Sequence, residues 1–220
     1  MITLEIIKVD GLPEMAEKSF SFMRPGSVAL SGGKTYAPVY PFWGQQPHPT
    51  LSRFFPVDER QVPITDPESN WGMADRFLFQ PWGATGSRDH FAASAESYRK
   101  LLEQEMGPGL PLFDLVFLGV GADGHIASLF PNDPRINETG HSVLETHSPL
   151  LPHARITLSL EVLVRAKEAV ILLFGPEKAP LIPRILAGDS SLPAGRLIRQ
   201  RPKTILIAEK NLFADTEKFG

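Results

Sequence analysis

The chain has 220 residues, enough for one large α/β domain or two small ones with a substantial core. A formal net charge of -3 gives no reason to expect nucleic acid or an anionic membrane as partner, so any positive potential must be local. The absence of cysteine excludes disulfides and thiolate metal sites and fits a reducing, cytoplasmic setting.

The first ten residues, MITLEIIKVD, lack the basic flank of a signal peptide, and no apolar stretch reaches the roughly 18 residues of a membrane span. Residues 2–8 alternate and predict a first strand. Residues 12–23 carry Met15, Phe20 and Met23 at loosely helical spacing. Residues 27–30 are a short buried strand that runs into Ser31-Gly32-Gly33-Lys34-Thr35. A helix begins over 36–42, kept short by Pro38 and Pro41. Residues 53–57 predict a third strand, followed at once by Asp58-Glu59-Arg60. Residues 61–70 read as loop, with Ser69 or Asn70 capping a helix to Phe79. Residues 81–89 read as loop. The clearest helical period runs over 91–106, stopped by Gly107-Pro108-Gly109.

The most informative stretch is 113–131. An apolar run breaks into three glycines, Gly119, Gly121 and Gly124, with Asp123 and His125 inside the break. Residues 131–152 read as the least structured part, and 131–154 as a mobile rim. A strand over 155–159 enters a helix over 160–167, and 169–174 is another buried strand. Gly175-Pro176-Glu177-Lys178 turns into a helix ending near Gly188, with Pro183 interrupting it, and 203–208 is the last strand. No repeat or long linker divides the chain, so residues 1–220 are expected to form a single domain. Strands alternating with helices predict an α/β, doubly wound, mostly parallel sheet with helices on both faces.

Open α/β sheets build their sites at the carboxyl ends of strands. Two glycines after a buried strand let backbone N–H groups approach an anion, and Lys34 and Thr35 add a cation and a hydroxyl; a plain strand-to-helix turn reads the same way. The run 119–124 matches G-x-G-x-x-G, but Pro131 cuts short the helix a dinucleotide needs, and no acid follows a second strand about 20 residues on. His125 can take and return a proton near neutral pH, with Asp123 fixing its orientation; a helix-capping pair is the plainer alternative. Asp58, Glu59 and Arg60 sit at a strand end, where solvated charges are also common. Arg155 and Lys178, taken singly, are surface charges by default. The remaining histidines show no metal-ligand spacing, and Ser128 lacks the Gly-x-Ser-x-Gly setting of an activated nucleophile.

In series, these segments resemble the 6-phosphogluconolactonase family. The residues that carry the likeness are Leu30-Ser31-Gly32-Gly33, Asp58-Glu59-Arg60-Gln61-Val62-Pro63 with Ser69-Asn70, the run from Phe113 through Asp123-Gly124-His125 to Pro131, Arg155-Ile156-Thr157-Leu158, Gly175-Pro176-Glu177-Lys178-Ala179 and Leu192-Pro193-Ala194. The glucosamine-6-phosphate deaminases share the fold but continue after the histidine to a catalytic glutamate, where this chain has Phe130. They also commonly carry an aromatic residue where this chain has Arg60. Two departures from the family stand out: Lys34-Thr35-Tyr36 follows the Gly-Gly turn, and the segment before residue 27 is short.

The resemblance implies hydrolysis of 6-phospho-D-glucono-1,5-lactone, with His125, Asp123, Asp58 and Arg60 as the catalytic group. His125 would activate water, Asp123 would orient His125, and Arg60 would balance charge on the tetrahedral oxygen. Gly32, Gly33, Lys34, Thr35, Arg155 and Lys178 would grip the phosphate. No cofactor and no metal are expected, and the partner is a small sugar-phosphate lactone acted on by a monomer or weak homo-oligomer in the cytoplasm. The competing expectations are a glucosamine-6-phosphate deaminase or isomerase, a non-catalytic sugar-phosphate sensor, and a dinucleotide-dependent dehydrogenase.

Overall fold

A computed structural model of the chain describes residues 2–84, 90–148 and 153–214. Six strands, β1 (Thr3–Val9), β2 (Gly26–Leu30), β3 (Ser52–Pro56), β5 (Leu115–Gly119), β8 (Glu168–Leu173) and β9 (Lys203–Glu209), form one sheet. Its order is β1-β9-β8-β5-β2-β3, and every pairing is parallel. The inner strands are apolar along their length because both faces are covered. Val116, Leu118, Ile171 and Leu206 point to one core, packed under α6 (Ala95–Met106), α7 (Leu160–Arg165), α8 (Ile182–Leu186) and α9 (Pro193–Gln200). Their alternates Leu115, Phe117, Leu172 and Ile205 point to the other. That core lies under α1 (Leu12–Phe20), α2 (Gly33–Tyr36), α3 (Tyr40–Trp43) and α4 (Asn70–Ala74). The expected α/β three-layer, doubly wound architecture is therefore what the chain forms.

A second sheet departs from that plan. β4 (Asp58–Arg60), β7 (Ala154–Leu158) and β6 (Val143–His147) pair antiparallel in the order β4-β7-β6. The sheets meet at Val57, whose N–H donates to the Leu30 carbonyl and whose carbonyl accepts from the Leu158 N–H, both at 2.9 Å.

Several sequence expectations need correction. Asp58-Glu59-Arg60 is a strand in its own right, not the tail of β3. The stretch 131–154 is more ordered than its Pro, Gly and His content suggests: it holds a 3-10 turn (Pro134–Asn137) and β6, while 149–152 lie outside the described residues. The helix expected over 36–42 is two one-turn helices, α2 and α3, with Pro41 in the first turn of the second. The helix expected from residue 91 starts at Ala95, because Ser94 accepts from the Ser97 N–H and forms a capping box. The first helix stops at Phe20 rather than Met23. Ser69 does cap α4, accepting from the Gly72 N–H at 2.9 Å. That helix then passes through a π turn (Asp75–Phe79) into α5 (Gln80–Trp82), which takes the start of the loop expected over 81–89; residues 85–89 lie outside the described part. Pro183 does not interrupt a helix but opens α8, after a 3-10 segment over Pro176–Leu181. The helix α9 carries no expectation from the sequence reading. Among the described residues, no helix is long and apolar enough to cross a membrane.

Candidate active site

β2 neighbours β3 on one side and β5 on the other, so the chain reverses its direction of winding between β2 and β5. Open α/β sheets bind ligands in the crevice at such a switch point, beyond the strands' carboxyl ends. A cavity of about 420 Å³ lies there. Gly32, Gly33, Lys34 and Thr35 come from the turn after β2, and Gly119, Gly121 and His125 from the turn after β5. Asp58, Arg60 and Arg155 come from the small sheet, and Lys178 from the turn after β8. Of the predicted site residues, only Asp123 does not itself line the cavity.

The His125 turn is held by local hydrogen bonds. The Gly121 N–H donates to the His125 carbonyl at 2.8 Å, and the Gly124 N–H to the Gly121 carbonyl at 3.0 Å. A side chain at Gly121 is impossible without moving the imidazole: a Cβ there would stand 2.1 Å from His125 Nδ1 and Cε1. His125 Nδ1 lies 2.5 Å from Asp123 Oδ1, which also accepts from the His125 backbone N–H at 3.1 Å. A carboxylate only accepts, so Nδ1 carries the proton and Nε2 is the basic nitrogen. Partial burial works against the charge on Asp123, but its bonds to the His125 ring and backbone prevail and hold the carboxyl below its ordinary value. The imidazole is one-third exposed, and Phe130 packs against it with ring centroids 4.9 Å apart.

Four cations, Lys34, Arg60, Arg155 and Lys178, line the same cavity. Arg155 and Lys178 are 5% and 7% exposed, far below what unpaired surface charges show. Lys178 Nζ is 3.6 Å from Glu177 Oε1, at the cavity's edge. Burial, then the neighbouring Arg60 charge, push the Arg155 guanidinium below its usual range; Asp58, Glu68 and Glu59 act in the opposite sense. The Nε atoms of Arg60 and Arg155, the Ser31 Oγ and the Asn70 Oδ1 are all buried without a hydrogen-bond partner among the described residues. Buried polar groups are normally satisfied, so such a concentration around one cavity points to a polar ligand. The turn at Gly33 has φ of +71°, in the left-handed region that favours glycine.

Two acids of β4 divide the remaining work. Asp58 Oδ2 accepts from the Ser128 hydroxyl at 2.7 Å. Ser128 also takes the Thr146 hydroxyl on its carbonyl at 2.9 Å and gives its N–H to Thr157 Oγ1 at 3.2 Å. Fully buried and so bonded, Ser128 is a strut between the His125 turn and the small sheet, not a nucleophile. Glu59 is fully buried and faces away from the cavity wall. Its carboxylate accepts from the N–H groups of Arg60, Asn70 and Trp71 at 2.7, 2.8 and 2.7 Å, and from the Ser69 hydroxyl at 2.9 Å. Burial raises the Glu59 carboxyl above its ordinary value despite those four donors. It is an anchor for the start of α4.

The sequence reading missed the roles of Asn70 and Glu177 on the cavity wall. Asn70 Nδ2 donates to the Asp58 carbonyl at 3.1 Å, which fixes the amide and leaves its oxygen as the unpartnered atom. The signal was present as Ser69-Asn70 after Asp58-Glu59-Arg60, but it reads from sequence only as a helix cap. Among the described residues, no group of three or more His, Asp or Glu is placed to hold a metal ion.

A doubly wound α/β sheet with a cation-rich crevice and a histidine–aspartate pair at its switch point defines an anion-binding class of site. The chain belongs to the family of glucosamine-6-phosphate isomerases and 6-phosphogluconolactonases, whose family model matches residues 10–206. It is 36% identical over 170 residues to the human GDH/6PGL endoplasmic bifunctional protein, an alignment covering 69% of this chain and 21% of that protein. The chain thus spans about a fifth of that relative's length. The 6-phosphogluconolactonase of Treponema pallidum is 31% identical over 171 residues, 70% of each chain. The crystal structure of 6-phosphogluconolactonase from Leishmania guyanensis superposes with a TM-score of 0.82 at 24% identity, over 96% of this chain and 98% of that one, a likeness of fold.

Proposed function

We propose that this chain hydrolyses 6-phospho-D-glucono-1,5-lactone to 6-phosphogluconate. The observation that carries the reading is a single cavity lined by His125, Arg155 and Lys178 together, in a chain whose relatives bear the name 6-phosphogluconolactonase. His125 Nε2 takes a proton from water, and the oxygen of that water adds to the lactone carbonyl. The ring C–O bond then breaks, and the imidazolium returns the proton to the departing ring oxygen. Asp123 holds the tautomer this requires and steadies the imidazolium when it forms. Arg155, Lys178, the Gly32 and Gly33 amides and Thr35 or Lys34 hold the phosphate, whose work is to place the carbonyl. Asp58, locked by Ser128, lies on the same wall and is positioned to accept from a substrate hydroxyl or the attacking water.

Glucosamine-6-phosphate deamination is the nearest rival. It needs a carboxylate where Phe130 packs on the His125 ring, and phenylalanine transfers no proton. The test is proton release from lactone generated in place, followed against the spontaneous rate. Rate enhancement supports the reading. Ammonia release from glucosamine 6-phosphate, or tight binding of 6-phosphogluconate without faster opening, would replace it with the deaminase or the sensor.

A further inference from the structure

Arg60 was expected beside the reacting carbonyl. Its surroundings argue for the other end of the substrate. In the antiparallel pairing of β4 with β7, Arg60 lies directly opposite Arg155. Side chains at such positions project from the same face with Cβ atoms about 4.5–5.5 Å apart, and like charges there are destabilising. Among the described residues, no carboxylate relieves Arg60 through a hydrogen bond: its Nη1 donates to the Glu68 backbone carbonyl, and the Nε atoms of both arginines are buried without a partner. Arg60 Nη2 also comes within 3.9 Å of where a Cβ on Gly33 would stand, which places it at the glycine turn. Arg155, Gly33 and Lys178 share the cavity with it.

Two guanidiniums opposed on neighbouring strands, beside backbone N–H groups of a glycine turn, are arranged for one compact, doubly negative group. Each planar fork can present two donors to a phosphate, and the dianion cancels the repulsion that the empty pair carries. We propose that Arg60 and Arg155 form a cross-strand clamp on the phosphate monoester, which makes Arg60 a specificity-determining residue for phosphorylated over plain lactone. The proposal rests on the sugar-phosphate reading above and assigns an end of the substrate to a residue that the reading leaves open.

The test separates the two. Inorganic phosphate binding is measured by calorimetry on the full chain and on Arg60→Ala and Arg60→Lys, and kcat and KM are measured on 6-phosphogluconolactone and on gluconolactone. Arg60→Ala weakens inorganic phosphate by about tenfold or more, the scale of a lost charge-assisted hydrogen bond. The ratio of kcat/KM between phosphorylated and plain lactone falls by a similar factor, chiefly through KM. Arg60→Lys keeps the charge but not the fork and restores part of the loss, which a folding defect in the alanine variant would not explain. Phosphate affinity within twofold of the parent in both variants, or equal losses in kcat on both lactones, would overturn the clamp and return Arg60 to the ester end. If the parent opens neither lactone yet binds phosphate through Arg60, the hydrolase reading fails and the clamp stands.

Discussion

Two buried arginines sit at opposite ends of the parallel sheet and are treated in opposite ways. Arg201, 1% exposed, precedes β9 at the closed end. Its Nη1 donates to the carbonyls of Leu163 and Val164 at 2.6 and 2.7 Å, and its Nε to that of Lys203 at 3.3 Å. Burial still pushes it down to about 10, but its Nη1 and Nε donors are spent on the chain itself. Arg155, 5% exposed at the open end, faces a second arginine across the strand pair and keeps an Nε with no partner among the described residues. The scaffold therefore completes the shell of one buried cation and leaves the other for a ligand. Burial alone does not mark a functional charge; burial with unspent hydrogen-bonding capacity does.

The contrast can be tested from the largest expected effect downward. His125→Ala, at the open end, lowers kcat on fresh lactone by about 10²–10⁴, the range for general acid–base catalysis, with only the small stability loss that releasing Asp123 entails. A loss below tenfold would remove the imidazole from the chemistry. Arg201→Met strands three carbonyl partners and should lower unfolding free energy by about 3–5 kcal/mol in a denaturant titration, with KM unchanged. Arg155→Met should do the reverse, raising KM for the phosphorylated lactone about 10–100-fold while leaving stability intact or improved. Equal destabilisation by the two methionine variants would break the comparison. Gly121→Ala pushes the imidazole from its place and should lower kcat about 10²-fold with little effect on KM. Glu59→Gln turns an NH₂ toward backbone N–H donors, for an expected cost of about 1–3 kcal/mol by thermal or denaturant unfolding.

The smallest effect concerns Asp123. Its folded pKa lies below the ordinary 3.8, so its contribution to stability is present above that value and lost as pH falls through the lower folded one. The stability gap between the parent and Asp123→Asn should narrow as acid is added below pH 3.8. A gap that widens there would show that the carboxylate is not held by the histidine.

The sequence made the inner parallel strands legible because burial on both faces writes them as apolar runs, whereas the edge strand β1 showed as alternation. Of the small sheet only β7 was legible, as the strand expected over 155–159; its two partners were not, for a corresponding reason. β4 is Asp58-Glu59-Arg60, three charges whose extended form comes from pairing with β7 and from the donors around Glu59. β6 lies among prolines and histidines, and its strand character is fixed by its register with β7. α9 is eight residues long, opens on Pro193 and ends in Arg199-Gln200, so flanking punctuation hid it. At the site, Gly121 and His125 could be read from one local turn. Asn70 and Glu177 could not, because their place on the wall depends on α4 and the turn after β8 meeting across the crevice.

Val57 carries a consequence of its own. Its amide belongs to one sheet and its carbonyl to the other, so a single residue rivets the platform bearing the imidazole to the bracket bearing both guanidiniums. A molecule lodged between them would be held by jaws with a common hinge pin that does not turn. Protection of the Val57 and Leu158 amides from hydrogen exchange should then persist until both sheets open together, and the crevice should close on its guest by side-chain adjustment rather than by swinging one sheet toward the other.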